Sequence, residues 1–370
     1  MKDNSEKKTL IMLTAGGTGG HIYPAESLAE ELLSRGYEVE FVTDARGKGN
    51  YHGALGNIKN YALLSGALVG KSKLFKLKSL LKTGIGVLQA CFLLLKSRPS
   101  VVVGFGGYAS FPCSVAAILL GVPLVIHEQN SVMSRTNRML GKYASLIGKS
   151  FANVKFLPEN KKIVYCGMPV RANIAKLYDE DRVFAKDEFR ILVLGGSQGA
   201  KVFAEVLPEA IKTLAKKSSK HIKIVQQCRQ EDEELLKKAY EKSGVEAEVG
   251  HFFGNMDELY RNSEIMISRA GASSVCEILA VGIPSILVPL PIAVDNHQYF
   301  NAMNVVDKNA GMLIKQEDFS AKKVSDLLYE LSENVSTLEF FSQNAKSSAI
   351  IDAAARLTDA IEKEIIKGEK

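Results

Sequence analysis

The first stretch that could do chemistry is a glycine turn that carries a histidine, residues 14–24 with the sequence TAGGTGGHIYP. It follows the apolar run 10–13 and precedes the helix-like stretch 25–33, an order that predicts strand, turn and helix. Backbone N–H groups of such a turn approach a ligand closely, and the N-terminus of the following helix favours an anion. His21 is at the mouth of this turn, where an imidazole can take a proton near neutral pH. We interpret it as a candidate general base; the alternative is a histidine that only shapes the start of the helix.

The spacing of the glycines in this turn excludes one common ligand. They do not fall at the G-x-G-x-x-G positions of the dinucleotide fingerprint, and Asp44, after the second predicted strand, is an ambiguous ribose ligand. The sequence therefore disfavours a nicotinamide enzyme.

Polar residues and glycines also follow the next predicted strands. Residues 101–108, VVVGFGGY, predict a strand and a second glycine loop whose N–H groups can contact a phosphate. The apolar strand that ends at residue 126 is followed directly by His127, Glu128, Gln129 and Asn130. Ligands of open α/β sheets bind at that edge, so we expect these residues to be functional, with one of them capping the next helix.

The second half of the sequence restarts like the first. Residues 189–194 predict a strand, GGSQGA at 195–200 a glycine turn, and the residues from 201 onward a helix. We expect two similar parallel sheets that face each other across a cleft. Ser197 could hydrogen-bond a phosphate; the alternative is that it only starts the helix.

A further helix start lies at residues 268–277. The free N–H groups at Ser273 and Ser274 would bind a diphosphate without a metal. Glu277 has two interpretations, since Ser274 and Glu277 also fit a capping box in which the carboxylate only satisfies a backbone donor. A polar cluster at 291–302 follows the next predicted strand, 284–290.

Length and composition set the general class. The 370 residues suggest two domains, and 46% hydrophobic with 24% charged residues excludes global disorder. Five scattered cysteines without C-x-x-C argue against disulfides or zinc and indicate a reducing compartment. A D-x-D at Asp179 and Asp181 could hold a cation, but its hydrophilic surroundings favour a solvated linker. The N-terminus MKDNSEKK is charged and carries no apolar h-region, so we expect no secretory signal.

Two stretches bear on membranes. Residues 101–126 carry no charge over 26 positions, but internal glycines and prolines divide them into strand, loop, helix and strand, so we do not expect a transmembrane helix. In residues 71–95 lysines alternate with leucines and a phenylalanine, which predicts a surface that rests on an anionic membrane. The alternative is a solvated lysine face on a helix whose leucines are core. Nucleic acid is disfavoured because stacking aromatics are scarce.

The predicted domains are residues 1–170 and 171–344. The segment between 151 and 189 is charged and contains prolines, as linkers are, and 345–366 is predicted as an amphipathic helix that crosses back onto the first domain.

Taken together, these motifs resemble the MurG family, glycosyltransferases that add N-acetylglucosamine to lipid-linked muramoyl-pentapeptide in peptidoglycan synthesis. The resemblance covers nearly the whole chain and rests on GGTGGH (16–21), GFGGY (104–108), HEQN (127–130), PVR (169–171), GGSQGA (195–200), the segment 269–277 and HQYFNA (297–302). It implies a GT-B fold, with two Rossmann-like α/β domains whose parallel sheets face across a cleft. It also implies an inverting transfer from UDP-N-acetylglucosamine to the C4 hydroxyl of lipid I, giving lipid II. A UDP-sugar epimerase and a non-catalytic nucleotide-sugar-binding subunit of the same architecture are the alternatives.

The resemblance also implies residue roles. The catalytic base would be His21, with Glu128 as an orienting or alternative carboxylate. The donor would contact Thr18, Gly19, Gly20, Asn130, Arg171, Ser197, Phe253, Ala272, Ser273, Ser274, Val275, Cys276, Glu277 and Gln298. The acceptor's pyrophosphate would contact Gly104, Gly106, Gly107 and Tyr108. No metal and no cofactor are implied.

Three positions depart from the family's usual pattern, Met168, Cys276 and His297, and they bear on fine donor contacts rather than on the reaction. The implied partners are UDP-N-acetylglucosamine, lipid I, an anionic membrane surface contacted through residues 71–95, and other cell-wall synthesis proteins. The implied location is peripheral, at the cytoplasmic face of the inner membrane.

Overall fold

The protein is described by a computed structural model, which covers residues 8–16, 19–45, 47, 53–66, 73–196 and 199–368. The chain divides into two compact units, one formed by Met1–Arg171 with Asp352–Lys370 and the other by Ala172–Ile351. The chain therefore leaves the second unit at residue 351, later than the expected 344.

Within the described residues, the first unit contains a seven-stranded parallel sheet in the order β3-β2-β1-β4-β5-β6-β7. Its strands are β1 Leu10–Thr14, β2 Glu38–Asp44, β3 Lys59–Leu63, β4 Val101–Gly104, β5 Leu124–Glu128, β6 Leu146–Lys149 and β7 Ile163–Tyr165. Its helices before residue 172 are α1 Gly19–Ser34, α2 Gly53–Gly56, α3 Lys73–Ser97, α4 Gly107–Leu119 and α5 Arg135–Gly141.

The alternation of side chains along the central strand β1 builds two cores. Ile11 and Leu13 pack with the inner face of α1, whereas Met12 packs on the opposite side with residues of α3 and α4. Because both faces of the sheet are covered by helices, its central strands are apolar on both sides. This is why residues 101–126 lack charge: they form β4, α4 and β5 inside a folded unit, as the sequence predicted.

The second unit repeats this plan with six described strands in the order β10-β9-β8-β11-β12-β13. They are β8 Glu188–Leu194, β9 His221–Gln227, β10 Glu246–Gly250, β11 Ile265–Ser268, β12 Ser285–Leu287 and β13 Gly311–Leu313. The helices described in this unit are α6 Ala172–Ala175, α7 Lys201–Lys217, α8 Glu233–Ser243, α9 Met256–Asn262, α10 Ala272–Val281, α11 His297–Val306, α12 Ala321–Glu333 and α13 Val335–Ser348. The predicted strand 284–290 is thus only three residues long, and the chain beyond it forms a loop.

The C-terminal segment differs from the expected single helix over 345–366. Helix α13 ends at Ser348, and α14 spans Ala353–Ile361 and continues as a π turn, Glu362–Ile366. The physical reason is that the two helices pack into the cores of different units. Leu338 packs into the core of the second unit, whereas Leu357 packs into the core of the first, against α1. Arg35 of α1 pairs with Asp359 at 2.5 Å and Glu362 at 3.2 Å.

Helix α3 is the one described helix whose length and composition would let it cross a bilayer, and 33% of its most apolar window is buried. Ala90, Leu93 and Leu94 face the core. The opposite side exposes a row that we name the α3 apolar face, formed by Phe75, Leu77, Leu80, Leu81, Ile85, Leu88, Phe92 and Leu95. The interpretation in which the leucines of this segment are all core is therefore wrong.

Candidate active site

The two glycine loops of the first unit meet at the carboxyl ends of the neighbouring strands β1 and β4. The N–H of Gly16 donates to the carbonyl of Gly106 at 3.0 Å. A Cβ on Gly107 would lie 2.7 Å from the Cα of Gly16, and φ at Gly107 is +78°, so only glycine allows this approach. The N-termini of α1 and α4 thereby converge, which creates a place that favours an anion.

His21 is the third residue of α1 and packs against this glycine pair. A Cβ on Gly106 would lie 3.5 Å from the imidazole Cε1 and 3.6 Å from Nδ1. Loss of solvent lowers the pKa of His21, and the Phe105 carbonyl and the Gln129 side chain oppose that shift by less. Although these groups lie near the ring, the buried Nδ1 completes no hydrogen bond with any described residue. The imidazole is thus neutral at neutral pH, the form that can accept a proton.

The HEQN segment is adjacent to the glycine loop after β4. Its first two residues belong to β5 rather than following it. His127 is fully buried and its Nε2 lies 2.9 Å from the carbonyl oxygen of Gly167. Burial lowers its pKa to about 4, opposed by the Gly167 carbonyl, and His21 adds a smaller electrostatic lowering. Gln129 is also buried, and its Nε2 donates to the Phe105 carbonyl at 2.8 Å.

Glu128 holds the loop that follows β5. Its Oε1 accepts from the N–H of Asn130 at 2.9 Å, and its Oε2 accepts from the N–H of Ser134 at 3.0 Å and from Asn137 Nδ2 at 2.8 Å. Burial raises the pKa of Glu128, and these hydrogen bonds oppose the rise. Among the described residues it makes no hydrogen bond to His21. The geometry thus gives this carboxylate a loop-holding role.

The remaining predicted residues of the first unit lie around the start of α1 and α4. Gly19 and Gly20 are the first residues of α1, where a Cβ on Gly19 would clash with the Tyr23 ring at 2.8 Å. The guanidinium of Arg171 lies 4.9 Å from the centre of the same ring. Gly104 ends β4, and Tyr108 is the second residue of α4. Thr18 and Ser197 lie outside the described residues.

In the second unit, α10 begins at Ala272 with Gly271 as its N-cap. The first turn presents the backbone of Ala272, Ser273, Ser274 and Val275, and the buried Ser273 Oγ has no hydrogen-bond partner among the described residues. Burial, with a smaller contribution from the charge of Glu277, raises the pKa of the Cys276 thiol to about 12, so this thiol is protonated at neutral pH.

Glu277 does not form the capping box with Ser274. The helix already begins at Ala272, so Ser274 lies inside the first turn and cannot be its N-cap. Instead, the residue Glu277 is only 8% exposed and its Oε2 accepts from the hydroxyl of Tyr260 at 2.9 Å. Nothing in the sequence around Tyr260, on α9, indicated this contact.

Two further side chains order the loops around α10 and α11. Arg269 Nη1 donates to the Val288 carbonyl at 3.0 Å, and its Nη2 donates to Gln316 Oε1 at 2.6 Å. Gln298, in the first turn of α11, accepts from the N–H of Leu290 at 3.0 Å through Oε1. Phe253 is half-buried in the loop after β10.

Comparison with known proteins decides the family. The chain is 42% identical over 361 residues to the UDP-N-acetylglucosamine-N-acetylmuramyl-(pentapeptide) pyrophosphoryl-undecaprenol N-acetylglucosamine transferase of Paramagnetospirillum magneticum, an alignment that covers 96% of this chain and 97% of the relative. The chain belongs to the MurG family. The glycosyltransferase family 28 N-terminal domain matches residues 11–148, and the family 28 C-terminal domain matches residues 190–360.

Solved structures agree with this membership. The crystal structure of MurG from Acinetobacter baumannii is similar with a TM-score of 0.77 and 30% identity, covering 96% of this chain and 99% of that one. The chain therefore has the GT-B fold. A UDP-N-acetylglucosamine 2-epimerase is also similar, with a TM-score of 0.68 and 98% coverage of both chains, but at 14% identity this likeness shows the fold alone.

In the described part of the chain no group of three His, Cys, Asp or Glu side chains could hold a metal ion. The first unit brings His21, the glycine loops and HEQN together. The sequence left Glu128 open as an orienting or alternative carboxylate, and it did not indicate that Glu128 holds its own loop.

Proposed function

We propose that this chain transfers N-acetylglucosamine from UDP-N-acetylglucosamine to the C4 hydroxyl of lipid I, the undecaprenyl-pyrophosphoryl muramoyl-pentapeptide, and so forms lipid II. The observation that carries this proposal is the 42% identity over nearly the full length to a transferase of that name. The fold by itself would not select this substrate, since epimerases share it.

We assign the donor to the second unit. The first turn of α10, from Ala272 to Val275, supplies N–H groups and a positive dipole end for the diphosphate. Glu277, oriented by Tyr260, would accept hydrogen bonds from the ribose hydroxyls. By position in the family motifs, the other donor residues are Thr18, Gly19, Gly20, Asn130, Arg171, Ser197, Phe253, Cys276 and Gln298.

We assign the pyrophosphate of the acceptor to the paired glycine loops of the first unit. Gly104, Gly106, Gly107 and Tyr108 lie where α4 begins, beside the start of α1. Backbone amides at two helix N-termini are a chemically suitable partner for two phosphates, and they keep the acceptor sugar near His21.

In the reaction, His21 removes the proton of the acceptor's C4 hydroxyl while the hydroxyl oxygen attacks C1 of the donor sugar. The C1–O bond to UDP breaks, its electron pair goes to the β-phosphate, and the configuration at C1 inverts. Its lowered pKa keeps the imidazole of His21 neutral before the step. The α10 amides stabilise the charge that develops on UDP. Glu128 keeps the loop after β5 in place.

The transfer is tested by release of UDP from radiolabelled UDP-N-acetylglucosamine, with and without a short-chain lipid I analogue, and by following the label into lipid. We expect release only with the acceptor. Interconversion of the UDP-sugar without acceptor would establish an epimerase instead, and UDP binding with neither reaction would indicate a binding subunit.

The role of His21 is tested in the same assay. We expect His21→Ala to lower kcat by about a hundredfold or more, the usual contribution of a general base, with little change in the donor KM. His221→Ala is the matched control, because that histidine is exposed on β9 of the second unit. A change confined to KM would remove His21 from the chemistry.

We further propose that the protein is peripheral to the cytoplasmic face of the inner membrane and docks through the α3 apolar face. The exposed lysines Lys76, Lys78 and Lys82 lie on the same helix, so apolar contact and attraction to anionic lipid act together.

A further inference from the structure

Two acceptors lie beside the His21 ring. The Phe105 carbonyl and the Gln129 side chain both favour a proton on the ring. No described residue donates a hydrogen bond to Nδ1. A ring nitrogen that faces acceptors is stabilised when it carries the proton, whereas an unprotonated nitrogen would set its lone pair against theirs.

The Gln129 amide has one orientation that satisfies its neighbours. With Nε2 toward Phe105, it donates to that carbonyl at 2.8 Å; a flipped amide would place two oxygens in contact. The remaining oxygen, Oε1, lies on the side of Gly106 that also faces the His21 ring. A Cβ on Gly106 would be 3.8 Å from Oε1 and 3.6 Å from His21 Nδ1.

His127 reinforces this orientation from the other side. Its Nε2 lies 2.9 Å from the Gly167 carbonyl, which only accepts, so in the neutral ring Nε2 carries the proton. Its Nδ1 is then an acceptor, and Gln129 Nε2 lies 3.4 Å away. The Gly167 carbonyl therefore fixes the tautomer of His127, and His127 Nδ1 in turn favours the Gln129 orientation in which Nε2 points toward it.

We propose that Gln129 is a positioning residue that, oriented by His127 and the Phe105 carbonyl, keeps neutral His21 protonated on Nδ1 and leaves the lone pair on Nε2. The tautomer is a property of the free protein. Its importance for the reaction rests on the proposed function, because only the unprotonated nitrogen can take the proton of the acceptor hydroxyl.

The tautomer is measured directly in the full-length protein labelled with 15N-histidine. Long-range 1H–15N spectra above pH 7 report which nitrogen of each of the six histidines carries the proton, and His21→Gln identifies the His21 signals. We expect Nδ1–H in the wild type and a shift toward Nε2–H, which free histidine prefers, in Gln129→Leu. An Nε2–H signal in the wild type would overturn the proposal, as would an unchanged tautomer in Gln129→Leu.

Kinetics give the second readout. We expect Gln129→Leu to lower kcat by about ten- to a hundredfold, less than loss of the base itself, with a nearly unchanged donor KM. Gln226→Leu is the matched control, since Gln226 is a fully buried amide on β9 of the second unit that accepts from Tyr240. An equal loss of kcat in both variants would overturn the kinetic part of the proposal.

The experiments distinguish failure of the base assignment of His21 from failure of the positioning role of Gln129. If His21→Ala retains kcat while the spectra show Nδ1–H that depends on Gln129, then His21 is not the base but the tautomer assignment holds. If His21→Ala loses kcat and Gln129→Leu changes neither spectrum nor kcat, the base assignment holds and the positioning role of Gln129 is wrong.

Discussion

Replacing two residues of the α3 apolar face tests whether this helix holds the protein on a membrane. Leu88 and Phe92 are one turn apart and are 71% and 72% exposed. Since neither side chain is core, the double variant Leu88→Ser/Phe92→Ser should fold with an unchanged thermal midpoint. Any change in membrane affinity is then a property of the surface.

The magnitude follows from the exposed fraction of the two side chains. Complete burial of a Leu or Phe side chain contributes about 2 kcal/mol, so burying the exposed seven-tenths of both contributes roughly 3 kcal/mol. That corresponds to about a hundredfold in the partition coefficient. The three exposed lysines add about 1 kcal/mol each on an anionic surface, a contribution that salt screens.

The assay is sedimentation with vesicles of phosphatidylglycerol and phosphatidylcholine at low and at high salt. We expect wild-type binding to weaken in salt, and the double variant to bind about a hundredfold more weakly than the wild type at both salt concentrations. Transfer to a water-soluble lipid I analogue should be unchanged in the variant.

Leu235→Ser is the matched control, because Leu235 is 69% exposed on α8 of the second unit. Equal vesicle affinity of the wild type and the double variant would refute membrane docking through α3. An equal loss in Leu235→Ser would show that general surface hydrophobicity, and not this face, determines binding.

Three further predictions concern the interior of the two units. His127 has a pKa of about 4 in the folded protein and 6.5 in the unfolded chain, so its titration leaves the free energy of unfolding unchanged above pH 6.5 and lowers it by roughly 3 kcal/mol as pH falls toward 4. The urea midpoint should therefore fall less steeply with decreasing pH in His127→Gln than in the wild type. The same pH dependence of the midpoint in both proteins would contradict this. Tyr260→Phe removes the hydrogen bond to Glu277, which should raise the donor KM by about tenfold with little change in kcat. An unchanged KM would show that Tyr260 does not orient Glu277 for the donor. Gly107→Ala should destabilise the protein by about 1–3 kcal/mol more than Gly121→Ala. Both glycines have positive φ, but only at Gly107 would the new Cβ lie 2.7 Å from a backbone atom. Equal unfolding midpoints of the two variants would show that the loop at Gly107 relaxes.

Much of the architecture was predictable because the signals are local. The apolar runs before the glycine turns predicted β1, β4 and β8, and the restart after the linker predicted a second unit. Short or half-exposed strands such as β3, β7 and β13 carried no such signal, since three to five residues at a sheet edge have little apolar periodicity.

The candidate site was predictable as a set of segments. Each glycine turn and the HEQN run could be recognised because such residue types follow strands in ligand-binding α/β sheets. The opposite roles of two adjacent residues could not be recognised. Glu128 holds its own loop through three backbone and side-chain donors, while Gln129 faces the His21 ring, and the pleat of the chain at the end of β5 separates them.

By itself, the sequence determined the two α/β units, the places where a phosphate can meet a helix N-terminus, and the family to which the chain belongs. These depend on residue type and spacing along the chain. Only the tertiary structure decided that residues 345–366 divide between two cores, that Tyr260 donates a hydrogen bond to Glu277, and that the Phe105 carbonyl and Gln129 lie beside the His21 ring. Those facts depend on contacts between residues far apart in sequence, which form only when the sheets and helices pack.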